Sequence, residues 1–478
     1  MRDIIGREKE IERLNRAMNE KEAQLILVYG RRRVGKTYLI NEYFEEDFAF
    51  RFTGSLQQTN KEQLKNFSLE LSGYAGEESK IPADWTEAFF QLRQYLEKYQ
   101  KQAGKKNTVV FLDEMPWMDK QRSGFFQAFE WFWNDWGNSR KNLVFVVSGS
   151  AASWMTEKLD ENKGGLFNRQ TCRLYLEPFD LRTTELYLQS RNIFWSRYDI
   201  VRCYMIMGGI PFYLKMLTHE LSLNENIDAI FFRKRGELWN EFTHLYHTLF
   251  SNSEQYIKIV EALSKKRKGL TREEIISMTG LYGNGVLTKM LLNLENSGFL
   301  RINKAFGNKT REKTYQLSDY YTIFYFRFIR DFYGKDEHLW SNTNDNPKRQ
   351  AWEGLSYEQV CRDHIGQIKK KLGISGVMTE VSTWNGHGND DEHAQIDLVI
   401  DRRDRTINLC EIKFSSQPYV IDKDYDMDLK RKTNAFREAT KTTKTLTITM
   451  ITTYGVKKNM YSNYVGKEIQ MDDLFDKE

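Results

Sequence analysis

One eight-residue stretch constrains this chain more than any other feature: residues 30–37 read GRRRVGKT, which satisfies the pattern G-x-x-x-x-G-K-[ST]. It follows the apolar run LILVY at residues 25–29 and precedes a helix-like stretch at residues 38–43. The glycines permit backbone conformations that turn successive N–H groups toward phosphate oxygens, and a helix N-terminus adds positive potential. The pattern in this context predicts a phosphate-binding loop on a parallel α/β sheet.

The residue types in this loop indicate a nucleoside triphosphate rather than a dinucleotide as the ligand. Lys36 would neutralise the β and γ phosphates, and the Thr37 hydroxyl would bind Mg²⁺. We therefore predict ATP and Mg²⁺ as cofactors, with the whole loop as the binding surface: Gly30, Arg31, Arg32, Arg33, Val34, Gly35, Lys36 and Thr37. The alternative is a basic turn that matches the pattern by accident.

Two further apolar runs, at residues 108–112 and 143–147, end in polar residues that belong beside the phosphates. Asp113 would hold Mg²⁺, and Glu114 would polarise the attacking water. The third run ends in Ser148, whose hydroxyl would contact the γ-phosphate or the water. A solvated acidic cap and an ordinary helix cap are the alternatives for these positions.

Length and composition bound the rest of the chain. Its 478 residues exceed what one core organises, which favours three or four domains. Forty per cent hydrophobic residues indicate folding throughout, and a net charge of +5 is too small to identify a nucleic-acid partner. Four widely spaced cysteines and no apolar run of about 20 residues predict a soluble cytoplasmic protein without a membrane segment.

The hydrophobic patterning predicts a multidomain α/β chain with four parts. Residues 1–170 form a phosphate-loop ATPase core, and residues 171–250 a helical lid with no convincing strand from about residue 174 onward. Residues 251–318 follow a winged helix-turn-helix pattern, with helices at 254–264, 271–279 and 284–297 and strands at 299–303 and 314–317. Residues 319–478 form an aromatic linker helix and a second α/β domain, which opens with a helix at 352–372.

The first half of the chain resembles the AAA+-related archaeal-type ATPases. The resemblance rests on IGRE at residues 5–8, Walker A at 30–37, Walker B at 113–114, SGS at 148–150, LFNR at 166–169 and GGIP at 208–211. It implies that Arg169 contacts the γ-phosphate of its own or a neighbouring subunit, although a surface salt bridge is the alternative. It also implies possible homo-oligomers and a winged helix followed by a nuclease-like domain.

A second group of charged residues lies near the C-terminus. Asp397 is in a strand-like run at residues 395–401, and Glu411 and Lys413 are in another at residues 406–414. Because side chains alternate along a strand, Glu411 and Lys413 share one face, and a hairpin brings Asp397 alongside them. Two carboxylates there would bind a divalent cation, and Lys413 would position the attacking water and stabilise the phosphate.

This arrangement is similar to that of the PD-(D/E)xK nucleases, with Ile396 in place of the proline. The resemblance implies a restriction-endonuclease-like fold with Asp397, Glu411 and Lys413 as catalytic residues. It also implies that Glu358 joins Asp397 and Glu411 as a metal ligand. The alternative is a half-buried ion-pair cluster in an inactive copy of the fold.

Weaker signals concern partners. Basic residues cluster in the winged-helix segment and favour DNA binding, although such folds also bind proteins: Lys265, Lys266, Arg267, Lys268, Arg272, Lys304, Lys309, Arg311 and Lys313. The acidic and histidine-containing stretch at residues 387–393 is interpreted as a solvated loop rather than a metal site. The aromatic run at residues 125–136 is interpreted as a helix packed on the sheet rather than a base-stacking surface.

We therefore expect a Mg²⁺-dependent ATPase whose nucleotide state controls a DNA-binding, nuclease-like C-terminal domain. A non-enzymatic switch or scaffold, in which the nuclease fold is inactive and binds partners, is the principal alternative. A small-molecule kinase that uses the same phosphate loop is disfavoured by the lid and winged-helix segments.

Overall fold

The computed structural model describes residues 4–104, 107–150, 152–160, 165–166, 169–307, 313–332, 335–387 and 393–477. The chain forms two compact units. Unit 1 comprises Met1–Pro178, Thr248–Ser251 and Leu292–Ser297; unit 2 comprises Phe179–His247, Asn252–Leu291 and Gly298–Glu478. Some residues singled out in the sequence lie outside the described ranges: Phe167, Asn168, Lys309, Arg311, Asp390, Asp391 and Glu392.

The described strands of unit 1 form a parallel sheet in the order β2-β3-β4-β1-β5. They are β1 (Gln24–Gly30), β2 (Phe50–Thr53), β3 (Thr108–Asp113), β4 (Leu143–Gly149) and β5 (Cys172–Leu176). The three predicted strands are confirmed, and all three are buried almost throughout. The expectation of no strand beyond residue 174 was wrong, because β5 is an edge strand that alternates buried and more exposed residues and so lacks a continuous apolar run.

Helices cover this sheet: α1 (Glu8–Asn19), α2 (Lys36–Tyr43), α3 (Asn60–Ala75), α4 (Trp85–Ala103), α5 (Phe125–Asp135) and α6 (Ala152–Met155). Helix α5 is the aromatic segment of the sequence, and it buries Phe125, Phe129, Phe132 and Trp133. The Phe129 ring lies 5.3 Å from that of Phe145 in β4. The prediction of an aromatic helix packed on the sheet is therefore confirmed.

Beyond Pro178 the chain forms helices that belong mainly to unit 2: α7 (Leu181–Ser190), α8 (Arg197–Met207), α9 (Pro211–Leu214), α10 (Leu223–Ile227) and α11 (Glu241–Leu249). Next come α12 (Ser253–Ser264), α13 (Arg272–Thr279), α14 (Gly285–Asn296) and the antiparallel hairpin of β6 (Leu300–Lys304) and β7 (Lys313–Leu317). These bounds agree with the predicted elements to within one residue. Thr271 and Glu274 form the capping box that the sequence predicts at the start of α13.

The remaining helices are α15 (Tyr320–Phe324), α16 (Leu339–Asn342), α17 (Pro347–Asp363), α18 (Ile365–Lys371) and α19 (Lys423–Thr440). The predicted single helix at residues 352–372 was wrong, because His364 separates α17 from α18. His364 is buried, and its Nε2 accepts a hydrogen bond of 3.0 Å from the backbone N–H of Leu181. The residue between the two helices thus contacts a residue 183 positions away in the sequence.

A mixed sheet lies at the C-terminal end of unit 2, in the order β12-β11-β10-β9-β8. Its strands are β8 (Thr379–His387), β9 (His393–Arg402), β10 (Thr406–Lys413), β11 (Thr445–Thr452) and β12 (Lys467–Gln470). β9 pairs antiparallel with β10, whereas β10 and β11 are parallel. The β6–β7 hairpin joins this sheet, since the N–H of Phe306 donates to the carbonyl of Thr383 at 3.0 Å.

The structure also bears on two expectations from the sequence, which concern disulfides and membrane-spanning helices. The four cysteines, Cys172, Cys203, Cys361 and Cys410, are buried and free of disulfides. No helix within the described ranges is both long and apolar enough to cross a membrane.

Candidate functional site

The phosphate loop lies between the end of β1 and the start of α2, as the sequence predicts. Gly30 has φ 140° and Gly35 has φ 92°, conformations that side chains strongly disfavour. A Cβ at Gly30 would lie 2.4 Å from the carbonyl oxygen of Leu176, which is in β5. The first glycine is therefore required both for the turn and for close contact with the neighbouring strand.

Lys36 is buried at the first position of α2, with only 5% of its surface exposed. Its ammonium donates to the carbonyls of Gly30 and Arg31 at 3.1 and 3.0 Å, and to the Ser150 hydroxyl at 3.1 Å. Burial lowers the pKa of Lys36, and the charges of Glu114 and Asp113 oppose that effect. A buried cation surrounded by oxygen atoms at a helix N-terminus is suited to bind a phosphate.

Thr37 and the acidic pair meet beside Lys36. The Thr37 hydroxyl donates to Oδ2 of Asp113 at 2.8 Å, and the Ser148 hydroxyl donates to the other oxygen of the same carboxylate. A hydroxyl next to a carboxylate is the donor set that Mg²⁺ uses with nucleotide phosphates. These contacts place Thr37, Asp113 and Ser148 together, and the residues fit a Mg²⁺ ion.

Glu114 leaves β3 with φ 49°, a strained conformation for a residue with a side chain. Its carboxylate accepts hydrogen bonds from both the N–H and the hydroxyl of Ser150. Because Ser150 also contacts Lys36, the ends of β3 and β4 are connected directly to the phosphate loop. A carboxylate held there is suited to orient a water molecule.

The other loop residues surround this centre. Arg31 is buried, and the Arg32 guanidinium lies 5.7 Å from the centre of the Trp117 ring. Arg33 has φ 74°, so it is strained, as Glu114 is. Val34, which lies between Arg33 and Gly35, is buried. Arg169 differs, because its side chain is exposed.

Sequence reasoning missed the role of Arg7 at this site. Arg7 is 6% exposed, and its Nη2 donates to the carbonyls of Val34 and Glu177, both at 3.0 Å. Its Nη1 lies 3.7 Å from a carboxylate oxygen of Glu10. The IGRE motif at residues 5–8 was the available signal, although it did not say which atoms Arg7 contacts.

The C-terminal charged residues gather at the end of the mixed sheet. Asp397 lies one position beyond the Leu398–Cys410 pair of the β9–β10 ladder, and its Oδ2 accepts from the N–H of Ile412 at 3.0 Å. Lys413 Nζ lies 4.0 Å from Oε2 of Glu411. The predicted proximity of Asp397, Glu411 and Lys413 is therefore visible in the backbone register and contacts.

Glu411 is 2% exposed, and burial followed by the charge of Asp397 raises its pKa. One oxygen, Oε2, accepts from Lys432 at 2.8 Å and from the Tyr425 hydroxyl at 3.1 Å. The other, Oε1, is buried and has no hydrogen-bond partner among the described residues. Neither Lys432 nor Tyr425, both in α19, was singled out in the sequence, because helical spacing does not reveal which strand a residue faces.

Glu358 in α17 has its pKa raised to about 7, first by burial and then by the charge of Asp397. Arg362, Lys413 and Arg267 oppose this shift. Within the described ranges, no three His, Cys, Asp or Glu side chains form a group suited to hold a metal ion. The electrostatic effects thus show Glu358 near Asp397 and Asp397 near Glu411, without a single three-ligand centre.

Arg267 does not belong to an exposed basic patch, contrary to the sequence interpretation. Burial lowers its pKa to about 10, and Glu358 opposes that change. Its carbonyl accepts from Gln316 at 2.7 Å, Gln316 accepts from Arg362 at 3.3 Å, and Arg362 donates to the carbonyl of Asp397 at 3.0 Å. The three-helix segment is thereby connected, within unit 2, to the backbone of the strand that carries Asp397.

Comparisons with known proteins agree with the first of these two sites. Residues 4–217 match the family described as an ATPase domain predominantly from Archaea. An uncharacterised protein of Methanocaldococcus jannaschii is 23% identical over 415 residues, covering 86% of this chain and 87% of the relative. An uncharacterised ATP-binding protein of the same organism is 54% identical over 42 residues, covering 9% of this chain and 71% of the relative.

Solved structures with some similarity include a Walker-type ATPase of Pyrococcus abyssi, with TM-score 0.46 and 17% identity, covering 68% of this chain and 97% of that one. The ORC2 protein of Aeropyrum pernix has TM-score 0.43 and 15% identity, covering 66% of this chain and 90% of that one. The parallel sheet, the phosphate loop and the match over residues 4–217 lead to one assignment. Residues 4–217 therefore carry a P-loop ATPase domain of the family found predominantly in Archaea.

Proposed function

We propose that this protein is a Mg²⁺-dependent ATPase whose nucleotide state controls a DNA-binding, nuclease-like C-terminal domain. The observation that carries the ATPase part is the cluster of Lys36, Thr37, Asp113 and Glu114, connected through Ser148 and Ser150. The domain boundaries at residues 170, 250 and 318 belong to the same proposal.

In this mechanism Lys36 exchanges its backbone acceptors for phosphate oxygens and neutralises their charge. Thr37 and Asp113 would hold Mg²⁺, which supplies positive charge to the phosphates. Glu114 orients the attacking water, and Ser150 holds that carboxylate in place. The exposed Arg169 would contact the γ-phosphate of its own or a neighbouring subunit, and a homo-oligomeric form belongs to the same proposal.

Phosphate release by the purified full chain with ATP and Mg²⁺ tests this mechanism. Lys36→Ala should weaken ATP binding by roughly 10- to 100-fold, because a charged hydrogen-bond donor to the phosphates is lost. Glu114→Gln should retain ATP binding and lower turnover by about 100-fold or more. Glu78→Gln, at an exposed position, serves as the control. Equal binding and turnover in all variants would refute the assignment.

The nuclease-like part rests on the buried carboxylates. Asp397 and Glu411 would hold a divalent cation, and the unpartnered Oε1 of Glu411 is suited to that role. Glu358 lies near Asp397 without forming one three-carboxylate group, so Asp397 and Glu411 are the proposed ligands, and Lys413 would stabilise charge on the phosphate. The exposed Lys265, Lys268, Lys304 and Lys313 would contact the DNA backbone.

One observation favours the alternative of a non-nucleolytic switch or scaffold. Lys432 already neutralises Glu411, and Arg267 lies near Glu358, so protein cations stabilise carboxylates that a metal would otherwise neutralise. In that alternative the C-terminal domain binds partners under nucleotide control and cleaves nothing.

Incubation of the full chain with linear or nicked DNA and Mg²⁺ or Mn²⁺, with and without ATP, separates the two functions. A nuclease should lose cleavage by about 100-fold or more in Glu411→Gln and Lys413→Ala, and keep it in the exposed control Glu380→Gln. Absence of cleavage by the unaltered chain under every condition would support the switch.

A further inference from the structure

The backbone has positive φ on both sides of Val34, and at Arg33 this conformation is strained. Arg33 has φ 74° and Gly35 has φ 92°. A side-chain-bearing residue keeps such a conformation only where its surroundings impose it. One contact between these two positions is the hydrogen bond of 3.0 Å from Arg7 Nη2 to the carbonyl of Val34.

Arg7 joins this loop to β5. The same nitrogen, Nη2, donates to the carbonyl of Glu177 at 3.0 Å, so one guanidinium group holds two backbone segments. These segments are also in contact at Gly30, which pairs with Leu176 and has no room for a Cβ beside the Leu176 carbonyl. Two attachments, one backbone and one side chain, therefore hold the loop against the end of β5.

Through Glu177, the Arg7 contact also reaches the segment that follows β5. Glu177 directly follows β5 and precedes Pro178, the last residue of this segment of unit 1. Arg7 is almost completely buried, and a buried guanidinium is stable only where its donors are satisfied. If either carbonyl moves away, the buried guanidinium loses one of its two acceptors. The Val34 and Glu177 carbonyls are therefore expected to keep their positions together.

We propose that Arg7 is a positioning residue that makes nucleotide binding and the order of the segment at residues 172–177 depend on each other. The inference rests on the proposed ATP binding at the phosphate loop. It adds that the segment at residues 172–177 becomes more ordered when ATP binds. By linkage, a contact that stabilises the ATP-binding form of the loop must itself be stabilised when ATP binds. ATP therefore protects the end of β5 although the nucleotide is held by the loop.

Hydrogen exchange and ATP affinity, measured on the full chain, test this dependence. In the unaltered chain, ATP with Mg²⁺ should slow amide exchange in the loop and in residues 172–177. Arg7→Met should weaken ATP binding by roughly tenfold and abolish the ATP-dependent protection of residues 172–177. Arg7→Lys keeps the charge with a shorter reach and should lie between the two. Arg16→Met, at an exposed position of α1, the helix that follows Arg7, should behave like the unaltered chain.

The outcomes separate this inference from the proposed function. If the unaltered chain binds no ATP, the proposed function fails. If it binds ATP and Arg7→Met retains the affinity and the protection of residues 172–177, the role of Arg7 is refuted. Should Arg7→Met fail to fold, Arg7→Lys decides, and unchanged affinity with unchanged protection overturns the proposal. Lower thermal stability alone, with both nucleotide measurements unchanged, also overturns it.

Discussion

At the scale of single residues, burial and a neighbouring charge shift the pKa of Glu358. Glu358 lies near Asp397, and burial together with that like charge raises its pKa to about 7 from the ordinary value of about 4.5. The folded state therefore holds the Glu358 proton between these two pH values, whereas the unfolded state has released it. The contribution of Glu358 to the free energy of unfolding must then fall as pH rises from about 4.5 to about 7.

Glu358→Gln tests this pH dependence at the residue scale. The substitution removes a carboxylate that is costly in its charged form, so the variant should gain stability relative to the unaltered chain at pH 8. The gain should reach at most about 3 kcal/mol and should be smaller at pH 5. Thermal unfolding at both pH values measures it, with exposed Glu380→Gln as the control. An equal effect at both pH values would contradict the assigned environment.

At the scale of elements, the β6–β7 hairpin is attached to a second structure in unit 2. The Phe306 N–H donates to Thr383 in β8, and the Phe306 ring lies 4.9 Å from that of Phe436 in α19. A hairpin attached in this way has part of its surface committed to the C-terminal sheet. The DNA contact proposed above therefore belongs to its exposed lysines rather than to the attached face.

Phe306→Ala should loosen this attachment. Because Phe306 is only partly buried, the loss should be about 1 to 2 kcal/mol, below the value for a fully buried aromatic residue. Hydrogen exchange should accelerate in β6 and β7 while β1 and β4 stay unchanged. Tyr282→Ala is the matched control, since Tyr282 is 85% exposed. Unchanged exchange in the hairpin would show that the Phe306 contact does not stabilise it.

At the scale of the whole molecule, the two compact units predict a localised response to nucleotide. The phosphate loop, Asp113 and Glu114 all lie in unit 1. ATP present at about 100 times its dissociation constant should stabilise the unit that binds it by about 2.7 kcal/mol. Slower exchange should therefore appear in β1, β3 and β4, and the Lys36→Ala variant should lose it. Equal protection of β9 and β10 would show instead that the units unfold together.

Much of the fold was predictable because local patterns carry it. Continuous apolar runs predicted β1, β3 and β4, and the three helices and hairpin of residues 253–317 were placed to within one residue. Short or edge strands such as β2, β5 and β12 were missed, since few buried residues leave little periodic signal. The break at His364 was missed for a different reason, because its partner Leu181 is 183 positions away.

The sequence by itself determined the phosphate loop, because glycine freedom, a lysine and a hydroxyl at set spacing are properties of eight consecutive residues. Only the tertiary structure decided which distant groups complete the sites: Arg7 against the loop, Lys432 and Tyr425 on Glu411, and Arg267 near Glu358. Those contacts arise from packing between elements far apart in the chain. Burial and neighbouring charges then shift the pKa values of these groups, and a local sequence pattern does not predict such shifts.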